Sequence, residues 1–430
     1  MSRWIACLLV PLLMVGLVSK ARAELYGGTS RADITPPVGC WLAGWASRDK
    51  PSEGVHDPLF AKSVVLCQGV DTVAIVACDL IHITREIAAE ARAIIERETG
   101  IAGGRVMISA THTHFSPEVG NRAKAGDKAD EAYLDVLARK IASTVIMAVA
   151  DMQPVKIGTS YADLPELLYN RRTRRPDGKV TMTFALPAVE DNLEFGPTDP
   201  SLGVMRVEDS EGVLLASMIN YACHPVSGGG HGTGWESWFY DVSAEFPGVA
   251  TALVESAESG NCLFTLGAAG NMVPIERGIS PRFKIGKALG GETVRLLQFM
   301  ETSADIILAV GSRQVELPLK NALEKDSYVK LPKSGKLEVE LQVVRIGGLY
   351  LVALPGEVLV EVGTAIKDGS GGEQTLIVSL ANGSIGYICH REAYGEGGYE
   401  PGRASVLAPG AAELLAARSL EMISELKQVE

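Results

Sequence analysis

The sequence predicts an α/β fold built on a mixed sheet, and three observations predict it. Apolar strand-like runs alternate with helix-like stretches from one end of the chain to the other. Two polar turns, Gln68-Gly69-Val70-Asp71 and Asp209-Ser210-Glu211-Gly212, each join a pair of such runs as a hairpin does. Stretches of helical periodicity, Glu131–Ala150 the strongest, separate other runs by enough chain for a crossover. Hairpins combined with crossover helices argue against a helical bundle or a sandwich.

The elements follow in chain order. Residues 63–66 and 73–78 flank the first turn as strands, and a helix follows over 84–99. Residues 106–110 form the next strand, before the periodic helix over 131–150. Residues 204–207 and 213–221 are the strands of the second hairpin. Helices over 244–259 and 284–301 enclose a strand at 263–266. Residues 306–317, 337–346 and 349–354 are strands, and 363–367 lie in a short helix. A late strand spans 375–380, and a helix over 411–426 closes the chain. The basic stretch 171–179 and the glycine-rich stretch 227–237 carry no periodicity and read as loops, and no internal repeat is visible.

The first residues have the form of a secretory signal: Arg3, an apolar run from Trp4 to Val18, and the small-x-small motif Ala21-Arg22-Ala23. The run is shorter than the roughly 20 residues a spanning helix needs. The expected organisation is a signal peptide over 1–23 and one domain over 24–430, in a protein exported to the periplasm or secreted. Removing Arg3, Lys20 and Arg22 with the leader takes the formal charge from −12 to −15. So acidic a protein is unsuited to nucleic acid or anionic membrane surfaces, and no later segment is apolar enough to span a bilayer. Six cysteines follow Cys7, without CxxC pairs or regular spacing, and imply no thiolate metal site. The oligomeric state is not legible in the sequence.

Four loops that follow strand-like runs carry residues suited to a metal. Thr111-His112-Thr113-His114 holds two histidines one residue apart, and on an extended segment both point to one face. Asn220-Tyr221-Ala222-Cys223-His224 leaves its strand with a histidine at the tip. Leu354-Pro355-Gly356-Glu357 ends a strand at a turn bearing a carboxylate, which is also where a helix cap belongs. Tyr387 in Gly386-Tyr387-Ile388 has the propensity of a strand aromatic. Taken together the loops offer N and O donors that zinc accepts. Zinc lowers the pKa of a bound water to about 7, and His114 beside the ion is then a general base or acid.

These segments, with others, resemble the neutral/alkaline (non-lysosomal) ceramidase family in its amino-terminal catalytic domain. The likeness runs over about residues 27–400. It opens with Gly28-Thr29-Ser30-Arg31-Ala32-Asp33-Ile34-Thr35-Pro36, includes Ser109 to His114, Asn170-Arg171 and Pro355-Gly356-Glu357, and ends with tyrosines 387 and 399, twelve positions apart. The resemblance implies a mixed-sheet α/β catalytic domain with Zn2+ held by His112, His224, Glu357 and Tyr387. It also implies that His114, Arg171 and Tyr399 contact the scissile carbonyl or its developing oxyanion.

Three departures change what the resemblance implies. Val273, in Gly270-Asn271-Met272-Val273-Pro274-Ile275, stands where the family has its catalytic serine. Phe115 replaces a serine after the second histidine, and the chain ends near residue 430, before the family's carboxy-terminal domain. Ser227, three residues past His224 as in the family's His-x-x-Ser, is a candidate substitute, although a plain loop serine is the expected role. The expected function is zinc-dependent amide hydrolysis by attack of zinc-bound water, on a small-molecule or lipid-like substrate such as an N-acylated lipid. Two other readings remain open: an esterase or lactone hydrolase acting on a polar, carbohydrate-derived substrate, and a non-catalytic metal-binding protein.

Overall fold

A computed structural model describes residues 23–120, 130–228 apart from 189 and 191, 238–320 and 332–429. The signal segment and most of the loop at 227–237 lie outside the described residues. Eight strands form the first sheet: β1 (Leu25–Asp33), β2 (Phe60–Gln68), β3 (Asp71–Cys78), β4 (Val106–Ala110), β5 (Gln153–Asp163), β6 (Ser201–Asp209), β7 (Leu214–Tyr221) and β8 (Asn261–Leu266). Their order is β8-β7-β6-β5-β1-β2-β3-β4. Only β3/β4 and β7/β8 pair in parallel; the other pairs are antiparallel, so the sheet is mixed as expected.

The parallel pairs are joined by helices, α1 (Arg85–Thr99) between β3 and β4 and α3 (Glu245–Glu258) between β7 and β8. Helices α2 (Glu131–Ala150) and α4 (Ile279–Gln298) follow β4 and β8. The succession of three antiparallel strands, a crossover, a parallel strand and a helix therefore occurs twice, with β1 and β5 meeting at the centre of the sheet. Sequence reading found no repeat because the two halves share connectivity and not residue pattern.

A second sheet contains β9 (Leu308–Pro318), β10 (Lys336–Ile346), β11 (Leu349–Ala353) and β12 (Gln374–Val378) in that order. The crossover from β11 to its parallel neighbour β12 contains α5 (Val360–Gly369), against which α6 (Ala411–Lys427) packs. Apolar residues of both sheets, among them Val64, Ile75, Met107, Leu263, Val344, Leu351 and Val378, form one buried layer between them.

Several elements depart from the expected boundaries for identifiable reasons. Strand β1 was not foreseen because Gly27, Gly28 and its polar residues have weak strand propensity. Gly28 is there for packing: a Cβ on it would lie 1.9 Å from the carbonyl oxygen of Ala148, so only glycine lets α2 cross the strand this closely. Helix α4 begins five residues before the expected start, since Pro281 is tolerated in a first turn. The basic stretch is not a loop: Arg172–Arg174 pairs with Val180–Met182, and Arg171 and Arg172 are buried.

Helix α1 is set by its ends. The hydroxyl of Thr84 accepts from Ile87 N at 3.2 Å, and Gly100 closes the helix at φ 76°. Thr84→Ala is expected to lower stability by about 1 kcal/mol, read as a lower denaturant midpoint at unchanged slope.

Candidate metal centre

The site lies where three pieces of backbone meet. Residues 379–382, continuing from β12, run between the ends of β4 and β8. Ser379 N donates to Leu266 O at 2.8 Å, Ala110 N to Leu380 O at 3.3 Å, and Asn382 N to Ile108 O at 2.7 Å. The turn at Leu354-Pro355-Gly356 is pinned to the same segment, through Ala381 N to Leu354 O and Leu380 N to Gly356 O, both 3.1 Å.

His112 follows β4 and is not extended as the sequence reading required. Its φ is 70°, because its N–H bonds Leu80 O at 2.8 Å and draws the chain toward the loop after β3. A non-glycine residue in this region costs of order 1–3 kcal/mol and persists only where its surroundings impose it. The turn nevertheless brings His112 and His114 together, ring centroids 4.8 Å apart and edge-on. His224, three residues past β7, has its ring centroid 4.7 Å from that of His112.

Glu357 is not a helix cap, since α5 begins at Val360 with Leu359 at its cap. Glu357-Val358 instead pairs in parallel with Tyr387-Ile388, which places the carboxylate and the phenol side by side. Glu357 Oε2 lies 3.1 Å from His224 Nε2 and 3.3 Å from His112 Nε2, and His114 Nε2 lies 3.4 Å from His112 Nε2.

Backbone carbonyls fix which nitrogen of each ring faces this group. His112 Nδ1 donates to Ile81 O at 2.6 Å, His224 Nδ1 to Ala269 O at 2.6 Å, and His114 Nδ1 to Gly44 O at 3.1 Å. With each Nδ1 committed as a donor, each Nε2 of a neutral ring carries a lone pair. Three lone pairs and a carboxylate therefore face one another without a proton to share, an arrangement that a cation relieves. Spacings of 3.1–3.4 Å match the roughly 3.3 Å between ligands that sit about 2 Å from a tetrahedral zinc. His112, His114 and His224 form one group of potential ligands, and the donor set fits zinc.

Electrostatics favour neutral rings at His114 and His224 and an ionised acid at Glu357. Burial, reinforced by Arg171, pushes His224 down to about 4. Burial also holds His114 well below the usual imidazole value, and His112 and His224 act in the same direction. Burial alone would raise Glu357, but His112 and His224 outweigh it and keep the carboxyl well below its ordinary range. Burial and then Glu357 push the Tyr387 phenol well above its usual value, with Arg171 opposing.

Arg171 is tied down on several sides. Its Nη2 donates to Tyr387 OH at 3.0 Å and to Gly270 O at 2.9 Å, and its Nε donates to Glu400 Oε1 at 2.8 Å. Tyr399 stands edge-on to Tyr387 with centroids 5.6 Å apart, and it remains exposed at the wall of a cavity. That cavity, of about 910 Å³, reaches Glu357, Tyr387 and Tyr399. Apolar Ile87, Val119, Leu134 and Ile385 line it together with charged Arg85, Glu86, Glu90 and Asp135. All seven site residues named from the sequence thus lie in one neighbourhood.

Sequence reasoning missed three supporting residues. Gly44 (φ 97°) fixes the His114 tautomer through its carbonyl, and a Cβ on it would fall 2.6 Å from the His114 ring. Arg48, buried, donates to His114 O at 2.8 Å and lies against the rings of Phe115 and Phe239. Glu400 is the third. None has a motif, and only the φ > 0 requirement at Gly44 could have been suspected.

The departures also have their places. Val273 is fully buried against Tyr169 and Val226, in an apolar cluster with no hydroxyl nucleophile on its side chain. Ser227 Oγ donates to Glu245 Oε1 at 2.6 Å, so its hydroxyl supports the loop. Asp79 caps β2 by accepting from Phe60 N at 2.9 Å. The six cysteines after Cys7 are free thiols, and among the described residues no helix is long and apolar enough to cross a membrane.

No protein-family model matches the chain. Among solved structures it is similar to neutral ceramidase from Pseudomonas aeruginosa, with a TM-score of 0.75 and 19% identity, over 95% of this chain and 76% of that one. It is also similar to a ceramidase complexed with C2, with a TM-score of 0.73 and 17% identity, over 94% and 76% of the two chains. The resemblance suggested by scattered motifs thus extends to the course of the backbone, and the chain has the fold of the neutral ceramidases.

Proposed function

We propose that this chain is an exported, zinc-dependent hydrolase that cleaves an amide bond in an N-acylated, lipid-like substrate. One observation carries the reading: the Nε2 atoms of His112, His114 and His224 converge with the Glu357 carboxylate while each Nδ1 is held by a backbone carbonyl, beside a cavity that reaches Glu357. The ceramidase fold supports the amide and the acyl chain as substrate class.

His112, His224, Glu357 and Tyr387 are the proposed ligands. Zinc in such a site supplies a Lewis acid and lowers the pKa of water to about 7. His114 is the proposed base: its ring stands farther from His224 (5.8 Å) than the His112 ring does (4.7 Å), and it is only partly buried. Its Nδ1–H stays on Gly44 O, so Nε2 accepts the proton of the attacking water and returns it to the leaving amine. Arg171 and Tyr399 are the groups proposed to stabilise the negative charge that develops on the carbonyl oxygen. With valine at position 273, attack does not pass through an acyl-serine.

The test is metal analysis of the purified protein, together with turnover of matched N-acyl amides, esters and lactones with and without chelator. About one zinc per chain and chelator-sensitive release of fatty acid from the amide are expected. Preferential turnover of the ester or lactone would select the polar-substrate reading. Zinc binding with no turnover on any of them would leave a non-catalytic metal protein.

A further inference from the structure

We infer that Glu400 is a positioning residue of this centre, acting through Arg171 on the phenol of Tyr387; the inference rests on the zinc-site reading above. Glu400 is fully buried. Its two oxygens are divided between adjacent arginines, Oε1 accepting from Arg171 Nε at 2.8 Å and Oε2 from Arg172 Nη1 at 2.9 Å. Held from that side, the Arg171 guanidinium presents Nη2 to Tyr387 OH at 3.0 Å and to Gly270 O at 2.9 Å. The Arg171 main chain donates to Asn271 O at 2.9 Å, so this residue grips the Gly270-Asn271 turn twice. The next residue, Met272, accepts through its carbonyl oxygen from the backbone N–H of His224 at 3.0 Å.

The same carboxylate thus fixes the oxygen of one proposed ligand and, through the turn, the backbone of another. Glu400 also follows Tyr399 directly, and the Tyr399 ring meets that of Tyr387. Arg172 continues the network outward to Glu396 at 3.1 Å, with no bond into the centre. The division of labour is geometric. A guanidinium is a planar fork whose donors point in fixed directions, so the acceptor at Nε sets where Nη2 aims. Groups of this kind, one step removed from the ligands, typically cost 10–100-fold in metal affinity or activity when they are altered.

A structural role for Glu400 would require only its charge, to neutralise two buried arginines. Charge and reach can be separated. Glu400→Asp keeps the charge but withdraws the carboxylate by one methylene, whereas Glu400→Gln keeps the reach and removes the charge. We expect Glu400→Asp to bind zinc about 10–100-fold more weakly in competition with a chromogenic chelator. Its kcat should fall by a similar factor, with KM within about twofold of the parent. Glu400→Gln should unfold at lower temperature and yet lose less zinc affinity than Glu400→Asp. Parent-like zinc affinity and kcat in Glu400→Asp would overturn the inference while leaving the zinc site standing. Absence of zinc from the parent protein would instead overturn the reading on which it rests. Should Glu400→Asp fail to fold, the chelator titration of Glu400→Gln decides alone: affinity within threefold of the parent supports positioning by reach, and a tenfold loss contradicts it.

Discussion

Glu357→Gln is expected to cost the protein its zinc and to lower amide hydrolysis by on the order of 10³-fold, since a catalytic metal contributes several kcal/mol. Glutamine matches the shape of glutamate but presents a neutral amide to His112 and His224, at the atom that now lies 3.3 and 3.1 Å from them. The chelator-treated parent and the variant should show the same far-UV circular dichroism and closely similar thermal midpoints, because the carboxylate serves the ion and not the core. Retention of a full complement of zinc by the variant would refute the proposed ligand set. Acidification should act on the same site. Burial holds His224 neutral down to about 4, so protonation of this imidazole should weaken zinc binding only as the pH falls toward that value, read by chelator competition across an acid series.

Gly44→Ala is expected to separate catalysis from metal binding. The added Cβ would meet the His114 ring at 2.6 Å on a backbone with φ of 97°, so the ring, the loop or both must move. The Nδ1 contact to Gly44 O that selects the His114 tautomer is broken. A displacement near 1 Å in a catalytic group costs on the order of 10²-fold, and that loss is expected in kcat. Zinc content should stay near one per chain, because His112, His224 and Glu357 are held by other carbonyls and strands. Loss of zinc in Gly44→Ala would instead show that His114 is itself a ligand.

Much of this neighbourhood was legible because metal-binding chemistry uses few residue types, and His112, His224 and Glu357 each stand just past an apolar run. What the sequence could not supply was the reason they meet. The extended geometry assumed for His112 and His114 was wrong in detail, since the loop after β3 captures the His112 backbone through a long-range hydrogen bond. Arg171 was found by motif, but its neighbours read only as part of a basic loop. Arg172 is buried only because Glu400, 228 residues away, is buried with it. Strand β1 was missed where close helix packing selects glycine against strand propensity. Long periodic elements such as Glu131–Ala150 and α6 were placed within a residue of their ends, because local pattern alone determines them.

The doubled succession of strands and helices has a consequence for assembly. One imidazole, His112, belongs to the first half, and another, His224, to the second; the acid and the phenol arrive only with the later sheet. No partly folded stretch of the polypeptide therefore owns a complete set of donors. On the proposed ligand set, capture of an ion comes late in maturation and reports that all three portions have reached their final arrangement.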